Sequence, residues 1–176
     1  HMPQLSYSGV IDGSPPADCS IFDRIYKVQK EDVVAYNSTG VASPDLADWP
    51  TGLGAPTLDA NGDPIDLTNQ PLASRVDRKI NLAAGERPDI LGDQMTWWVM
   101  NDRGNQHTRT QTPSMGVEVH GSAFAFNTAG AIGNTTFYKY RIMYKGSVAL
   151  ENAYMGIFDD PDLGAAFDDY VGSDTT

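Results

Sequence analysis

Met95-Thr96-Trp97-Trp98-Val99-Met100 is a run of large and β-branched side chains, bounded by Asp93 and by the turn-forming residues 101–105. Such a run predicts a buried β-strand that ends in a turn. Residues 115–126 alternate in part between two sets of side chains, and neither set is uniformly polar. A second strand, partly covered on both faces, is therefore expected there.

A third strand is predicted over residues 135–145, where one set of alternate side chains is cationic and the other is aromatic. For the aromatic set, which includes Tyr138, Tyr140 and Tyr144, positions in the core are favoured. Residues 150–158 follow a turn and are predicted to form the partner strand. Three long strands in a row favour a mainly β fold, an antiparallel, jelly-roll-like β-sandwich with long loops and one short helix.

The other elements are predicted from local patterns. Residues 30–36 carry acidic side chains early, as a short helix prefers, and residues 3–11 are expected to form an edge strand. Residues 41–93 are rich in Pro, Gly, Asp and Asn, which predicts long loops that are functional or pinned by other contacts. His1-Met2 resembles the remnant of an expression tag, and residues 3–176 are predicted to be a single module excised from a larger protein.

Composition limits the classes of partner. The 176 residues include 23 acidic and 12 basic side chains, which give a net charge of −11. That charge opposes attraction to nucleic acid or to an anionic membrane and favours cations and neutral ligands. No apolar run approaches the length of a membrane span, so membrane insertion is not expected. The single Cys19 permits neither an internal disulfide nor a cysteine-based metal site.

The segment Asp59-Ala60-Asn61-Gly62-Asp63-Pro64-Ile65-Asp66 places oxygen-bearing side chains at alternate positions, with a glycine that permits a tight turn. This pattern matches the first half of an EF-hand-type calcium loop. Gln70 stands where the bidentate Glu of such a loop is expected, and a solvated Asx-type turn is the alternative. The candidate calcium ligands are Asp59, Asn61, Asp63 and Asp66.

Residues 158–174 contain six carboxylates and neither Lys nor Arg. Calcium takes six to eight oxygen ligands, and turns at Gly164 and Gly172 would let backbone carbonyls contribute. Interleaved aromatic and aliphatic side chains are expected to anchor the stretch to a core. A packed acidic loop without metal and a solvated tail are the alternatives. The candidate ligands are Asp159, Asp160, Asp162, Asp168, Asp169 and Asp174.

Aromatic side chains suggest a second kind of site, because flat rings stack on sugars while polar neighbours fix the orientation. Trp49 and Trp98 are the candidate ligand-binding residues. Trp97 and Trp98 are adjacent in a predicted strand and must point to opposite faces. At most one of the two can line a given surface groove, and core packing is expected for at least one.

Glu118 and His120 lie two residues apart on one predicted strand face, a geometry that suits an acid–base or metal pair. No further ligand supports a zinc site, and neither a Gly-x-Ser-x-Gly elbow nor a His-Glu-x-x-His motif occurs. No catalytic residue is therefore assigned, and the chain is expected to be non-catalytic. A secreted hydrolase that uses Glu118 with His120 is the alternative.

Several motifs together carry a family resemblance. They are Asp48-Trp49-Pro50, Leu91-Gly92-Asp93-Gln94 with Trp97-Trp98-Val99-Met100-Asn101-Asp102, Gly116-Val117-Glu118-Val119, Asn134-Thr135-Thr136-Phe137-Tyr138-Lys139-Tyr140, and Asp160-Pro161-Asp162-Leu163-Gly164 with Asp168-Asp169-Tyr170-Val171-Gly172. Over roughly residues 18–176 the chain resembles a recurrent N-terminal region of large secreted proteins of Bacteroidota-type bacteria, which commonly end in a type IX secretion sorting domain. The resemblance implies a secreted or cell-surface protein. It implies no activity, because that region is functionally unassigned.

These features favour a non-catalytic, calcium-stabilised extracellular module for adhesion or ligand presentation. The expected partners are calcium ions together with a glycan or another surface protein, and nucleic acid is not expected. A carbohydrate-binding module that uses surface Trp and Tyr side chains is the first alternative, and the hydrolase domain is the second.

Overall fold

The structure is a computed structural model that describes residue 11, residues 22–104 and residues 106–157. It consists of antiparallel strands and two helices. The predicted strand at 3–11, apart from Ile11, and the acidic stretch at 158–174 lie outside the described residues. The strands are β1 (Tyr26–Gln29), β2 (Thr57–Leu58), β3 (Arg87–Pro88), β4 (Gln94–Asn101), β5 (Val117–Ala125) and β6 (Phe137–Tyr144), and the helices are α1 (Lys30–Thr39) and α2 (Pro44–Ala47).

The main sheet has the order β1-β4-β5-β6, and every neighbouring pair is antiparallel. β2 and β3 form a separate two-stranded sheet. The strands predicted at 95–100, 115–126 and 135–145 are therefore confirmed as β4, β5 and β6, and the mainly β, antiparallel class is confirmed with them. The register places Trp98 opposite Gly121, which in turn lies opposite Tyr140.

The two faces of the main sheet differ in what covers them. On the inner face, Met95, Trp97 and Val99 of β4 are buried against the hydrophobic core. The open face is formed by the other side chains of β4, β5 and β6. Its members are Gln94, Thr96, Trp98, Met100, Val117, Val119, Gly121, Ala123, Ala125, Tyr138, Tyr140, Ile142 and Tyr144. Among the described residues, no second full sheet covers the open face, so the sandwich stays a prediction.

The long segment 41–93 covers the inner face of the main sheet. Contacts with that face hold the segment in place, which is one of the two roles predicted for it. It contains α2, the β2–β3 pair and three short 3-10 turns. Six of its side chains belong to the buried core, namely Leu46, Trp49, Leu53, Ala55, Leu72 and Ile80. Each of the Leu and Ile side chains among them stabilises the fold by roughly 1.5–3 kcal/mol when fully buried. The loop segment therefore does the packing that a second sheet performs in a sandwich.

Both helices begin at identifiable caps. At the start of α1 the Gln29 N–H donates to the Asp32 carboxylate at 3.2 Å, and α1 ends where the N–H of Gly40, at φ +70°, donates to the Tyr36 carbonyl. This helix confirms the one predicted at 30–36. α2 was not predicted, although Ser43 accepts a hydrogen bond from the Leu46 N–H and Pro44 occupies the first turn.

The predicted partner strand is wrong for residues 150–157, which contain no strand. After β6, the Lys145 N–H donates to the Gly116 carbonyl at 2.8 Å, and the Tyr144 hydroxyl donates to the Val148 carbonyl. Gly146 lies against the Tyr144 ring, where a side chain would overlap it. Since Tyr144 points to the open face, these contacts turn the chain out of the plane of the sheet, and it does not reverse beside β6.

The predicted core positions of the β6 tyrosines are also wrong. Tyr138 and Tyr140 are 61% and 54% exposed, and Tyr144 is exposed as well. The cationic side of β6 instead shares the inner face, where Arg141 reaches Asp66. Lys139 and Arg141 are exposed as well, so neither side of β6 contains a buried side chain.

Candidate functional site

The centre of the open face is the Trp98 indole, which lies on the backbone of Gly121 in the neighbouring strand. A methyl group at Gly121 would overlap the Trp98 ring, so only glycine permits this placement. The far edge of the indole meets the Tyr140 ring in a T-shaped contact, with ring centroids 6.2 Å apart and planes at 79°. The half-buried indole is thus supported from below and from one side.

Tyr138 and Tyr140 extend this aromatic surface along β6. Their rings are nearly parallel, with planes at 5° and centroids 6.4 Å apart. The buried Val117 and Val119 and the small residues of β5 lie between the larger side chains of β4 and β6. At the end of the face near Tyr138, Gln94 and Thr96 supply an amide and a hydroxyl. We call Trp98, Tyr138 and Tyr140 the aromatic platform.

Of the two tryptophans expected to bind a ligand, only Trp98 lies on this face. Trp49 is 0% exposed, belongs to the core, and donates its indole N–H to the Pro56 carbonyl at 3.1 Å. A ring enclosed in this way presents no face to a surface ligand. The expectation for Trp49 is corrected to a packing role.

The loop at 59–66 is closed by its own hydrogen bonds. Asp59 Oδ1 accepts from the backbone N–H groups of Asn61 at 2.8 Å and of Asp63 at 2.9 Å, and the Asp63 N–H bond lowers the pKa of Asp59 most. Ile65 N–H donates to the Thr57 carbonyl, which fixes the base of the loop. This is the geometry of an Asx-type turn, the alternative stated for these residues.

Asp66 faces away from that turn and is held by other partners. Its Oδ1 accepts from the Thr68 N–H at 2.9 Å and the Thr68 hydroxyl at 2.6 Å, and its Oδ2 accepts from Arg141 Nη2 at 2.7 Å. Burial raises the pKa of Asp66, but these hydrogen bonds and the Arg141 charge outweigh burial and lower it to about 2. Asp66 therefore ties the loop to β6.

No three His, Cys, Asp or Glu side chains of the described residues come together in a way that could hold a metal ion. The six carboxylates of the acidic stretch, Asp159, Asp160, Asp162, Asp168, Asp169 and Asp174, lie outside the described residues. Calcium binding by that stretch stays a prediction.

The Glu118 carboxylate is fully buried at the inner face and is surrounded by donors. It accepts hydrogen bonds from His120 Nε2 at 2.8 Å, from Lys145 Nζ at 3.0 Å and from the Ile11 N–H at 2.5 Å. Lys145 Nζ also donates to the Ile11 carbonyl at 3.1 Å. The cluster thus holds the backbone of Ile11 at both of its polar groups.

Burial raises the pKa of Glu118, but the hydrogen bond and charge of His120, the Ile11 N–H and the Lys145 ammonium together lower it below its ordinary value. His120 is also buried, with its ring edge-on to Trp97 at 5.3 Å. Because the carboxylate and the imidazole are both enclosed, the pair is not presented to a substrate. The geometry favours a structural role over a catalytic one.

Two further features of the site region were not predicted. One is Gly121, for which a glycine inside a predicted strand was the available signal. The other is Asp102, whose buried carboxylate accepts the backbone N–H groups of Met115, Gly116 and Val117 at 2.6, 3.0 and 2.9 Å. Asp102 therefore closes the loop between β4 and β5, and sequence reasoning had placed it only within a turn.

A cavity of about 490 Å³ lies beside β1, and its charges are balanced. Both Arg24 and Lys79 form ion pairs with Asp48 there, and the Lys79 hydrogen bond lowers the pKa of Asp48 most. Three carboxylates (Asp23, Asp48 and Asp77) and three cations (Arg24, Arg78 and Lys79) line the cavity, so it has no excess charge to attract an ionic ligand. The aromatic platform is the stronger candidate.

Comparisons of this chain with protein-family models, with curated proteins and with solved structures found no match. The resemblance to secreted surface proteins therefore stays a prediction based on the quoted motifs. In the described part of the chain, none of the helices combines the length and the apolar character needed to cross a membrane.

Proposed function

We propose that this chain is a non-catalytic extracellular adhesion module that binds neutral carbohydrate on the aromatic platform. The observation that carries the proposal is the flat, supported placement of Trp98 over Gly121, next to two exposed tyrosines. Apolar faces of sugar rings stack on such side chains, and nearby polar groups fix their orientation. The motif resemblance supports the extracellular setting.

Charge supports a neutral ligand over an anionic one. The net charge of −11 repels acidic polysaccharides and nucleic acid at long range. The cations of β6 do not offset this on the platform, because Lys139 and Arg141 belong to the inner face. The tyrosine hydroxyls, with Gln94 and Thr96, provide uncharged hydrogen-bonding groups that match sugar hydroxyls.

A panel of neutral, sialylated and sulfated oligosaccharides tests the proposal. Binding to neutral members is expected, and both Trp98→Ala and Tyr140→Ala should weaken it at least tenfold, which is about 1.4 kcal/mol. Gly121→Ala should weaken binding similarly, because its methyl group displaces the indole without removing an aromatic ring. Titration calorimetry of folded variants supplies the measurement.

Val41→Ala is the matched control, since Val41 is an exposed apolar residue outside the sheet. Its affinity should equal that of the unaltered chain. The proposal fails if no neutral glycan binds, or if binding survives both Trp98→Ala and Tyr140→Ala.

Calcium stabilisation through residues 158–174 is the second part of the proposal, and the density of carboxylates there supports it. Calcium added to the chelator-treated protein is expected to raise its melting temperature. At a hundred times the dissociation constant the stabilisation is about 2.7 kcal/mol. For a domain of this size each kcal/mol raises the melting temperature by roughly 2–4 °C.

Substitutions in the two acidic segments, residues 59–66 and residues 158–174, are expected to affect the calcium response differently. Asp168→Asn should abolish the calcium response, whereas Asp59→Ala should retain it because Asp59 is occupied by its own turn. Calcium stabilisation through residues 158–174 is excluded if the melting temperature does not respond to calcium, or if Asp59→Ala alone removes the response.

A further inference from the structure

We infer that residues 150–157 form a β-strand along the outer edge of β6 in a second copy of this chain, so that two copies exchange strands reciprocally. The inference rests on an open strand edge, an exposed apolar segment of matching length, and a turn that directs this segment away from its own sheet. It is independent of carbohydrate binding.

The open edge belongs to β6, the last strand in the sheet order. Within residues 22–104 and 106–157, no strand pairs with its outer side. Such an edge presents a row of backbone N–H and C=O groups that can template another strand. β6 contains no proline, but Lys139 and Arg141 place two basic charges on its inner face. Inward charges discourage pairing with a purely apolar strand, so the incoming strand has to supply an acidic partner.

The exposed segment follows directly. Tyr154, Met155 and Ile157 are 94%, 81% and 99% exposed, although each has a large and mainly apolar side chain. Large apolar groups that are this exposed in a short stretch usually mark an interaction surface. Residues 150–157 carry a single charge, at Glu151, and match β6 in length.

The turn at 145–148 explains why pairing with the segment's own β6 does not occur. The Lys145 N–H is bonded to the Gly116 carbonyl, its ammonium is bonded to Glu118, and the Val148 carbonyl accepts from the Tyr144 hydroxyl. A hairpin in the same copy would have to break the Tyr144–Val148 bond and redirect the turn. Pairing with another copy leaves these contacts in place, as in domain swapping.

A full antiparallel overlap of the two segments gives chemically matched neighbours. Ile157 would lie opposite Phe137, and Tyr154 opposite Tyr140 on the open face. Glu151 would lie diagonally between Arg141 and Lys145 on the inner face. Asn152 has φ +51°, so the segment is bent there when unpaired, and pairing must extend this residue or retain it as a bulge.

Two measurements test whether two copies associate through this strand: the molecular mass of the protein in solution, and the effect of matched lysine substitutions on that mass. Light scattering and sedimentation of the full chain over a wide concentration range should show a reversible monomer–dimer equilibrium. Met155→Lys should weaken it at least roughly tenfold. Ile132→Lys, which places the same charge at an exposed apolar residue of the β5–β6 loop, should leave it unchanged. A chain that stays monomeric throughout, or equal effects of the two variants, overturns the inference.

Disulfide trapping distinguishes strand exchange from any other dimer. In a Cys19→Ser background, a chain with Lys139→Cys is mixed with a chain that carries Met155→Cys, because the proposed register places these residues opposite each other. A disulfide between the two chains is expected, with none when Ile132→Cys replaces Lys139→Cys. The inference fails if the mixed chains do not cross-link. It also fails if a single chain that carries both Lys139→Cys and Met155→Cys forms only an internal disulfide in dilute solution.

Discussion

Replacing Glu118 by alanine is expected to lower the free energy of unfolding by about 3–5 kcal/mol. The change removes the acceptor for His120, Lys145 and the Ile11 N–H together. An ammonium group and a backbone donor would then remain in a largely enclosed site without their acceptor, which is the costly way to break a buried pair. Urea denaturation at neutral pH measures the loss, and a loss below about 1 kcal/mol would contradict the role assigned to this cluster.

The pH dependence of the same cluster provides the control. The pKa of Glu118 is held below its ordinary value of 4.5, so its contribution is complete above that pH and is lost as pH falls through the folded-state pKa. Glu118→Gln keeps the shape and removes the charge. The stability difference between Glu118→Gln and the unaltered chain should therefore be constant near neutrality and shrink in acid. A difference that stays constant down to acid pH would show that the charge is unimportant.

Replacing Trp49 by alanine in the otherwise unaltered chain is expected to lower the free energy of unfolding by about 3–5 kcal/mol. The change opens a cavity in the centre of the core and removes the hydrogen bond to the Pro56 carbonyl. Under conditions where the variant remains folded, its affinity for carbohydrate should be unchanged. Thermal unfolding and glycan titration measured on the same sample separate these two effects.

Trp98→Ala is the matched partner of that experiment, because the same residue type is removed from the open face. It should cost less stability than Trp49→Ala, because the Trp98 indole is only half-buried, and it should weaken binding at least tenfold. The reverse pattern, with a stable Trp49→Ala that does not bind and a binding-competent Trp98→Ala, would restore Trp49 as the ligand residue.

Three strands of the main sheet, β4, β5 and β6, could be predicted from β-branched and aromatic runs or from alternation, whereas the four-residue β1 was not predicted. The exposure of both sides of β6 could not be predicted, because the cationic and the aromatic sets of side chains can each tolerate water. The covering of the inner face of β4 comes from residues 41–93, which bury six core side chains without any periodic pattern. Irregular backbone has no repeating spacing of apolar residues, so the covering layer could not be predicted from hydrophobic periodicity.

The candidate site was predictable only in part, for similar reasons. Alternation separates Trp97 from Trp98 correctly, since adjacent strand residues point to opposite faces. It does not apply to Trp49, which lies in a loop where burial depends on the path of the chain. The strand predicted at residues 150–157 is absent for a local reason. The Tyr144 hydroxyl donates a hydrogen bond to the Val148 carbonyl, and this contact turns the chain away from β6.

The seat of Trp98 on Gly121 also bears on how tightly any ligand of this face can be held. An exposed aromatic side chain normally samples several rotamers and loses that freedom when a ligand immobilises it. Here the glycine backbone below and the Tyr140 ring at the edge restrict the indole before any ligand arrives. The entropy of ordering this ring is lost during folding, so the face is preorganised, and a ligand that stacks on it forfeits mainly its own freedom of motion.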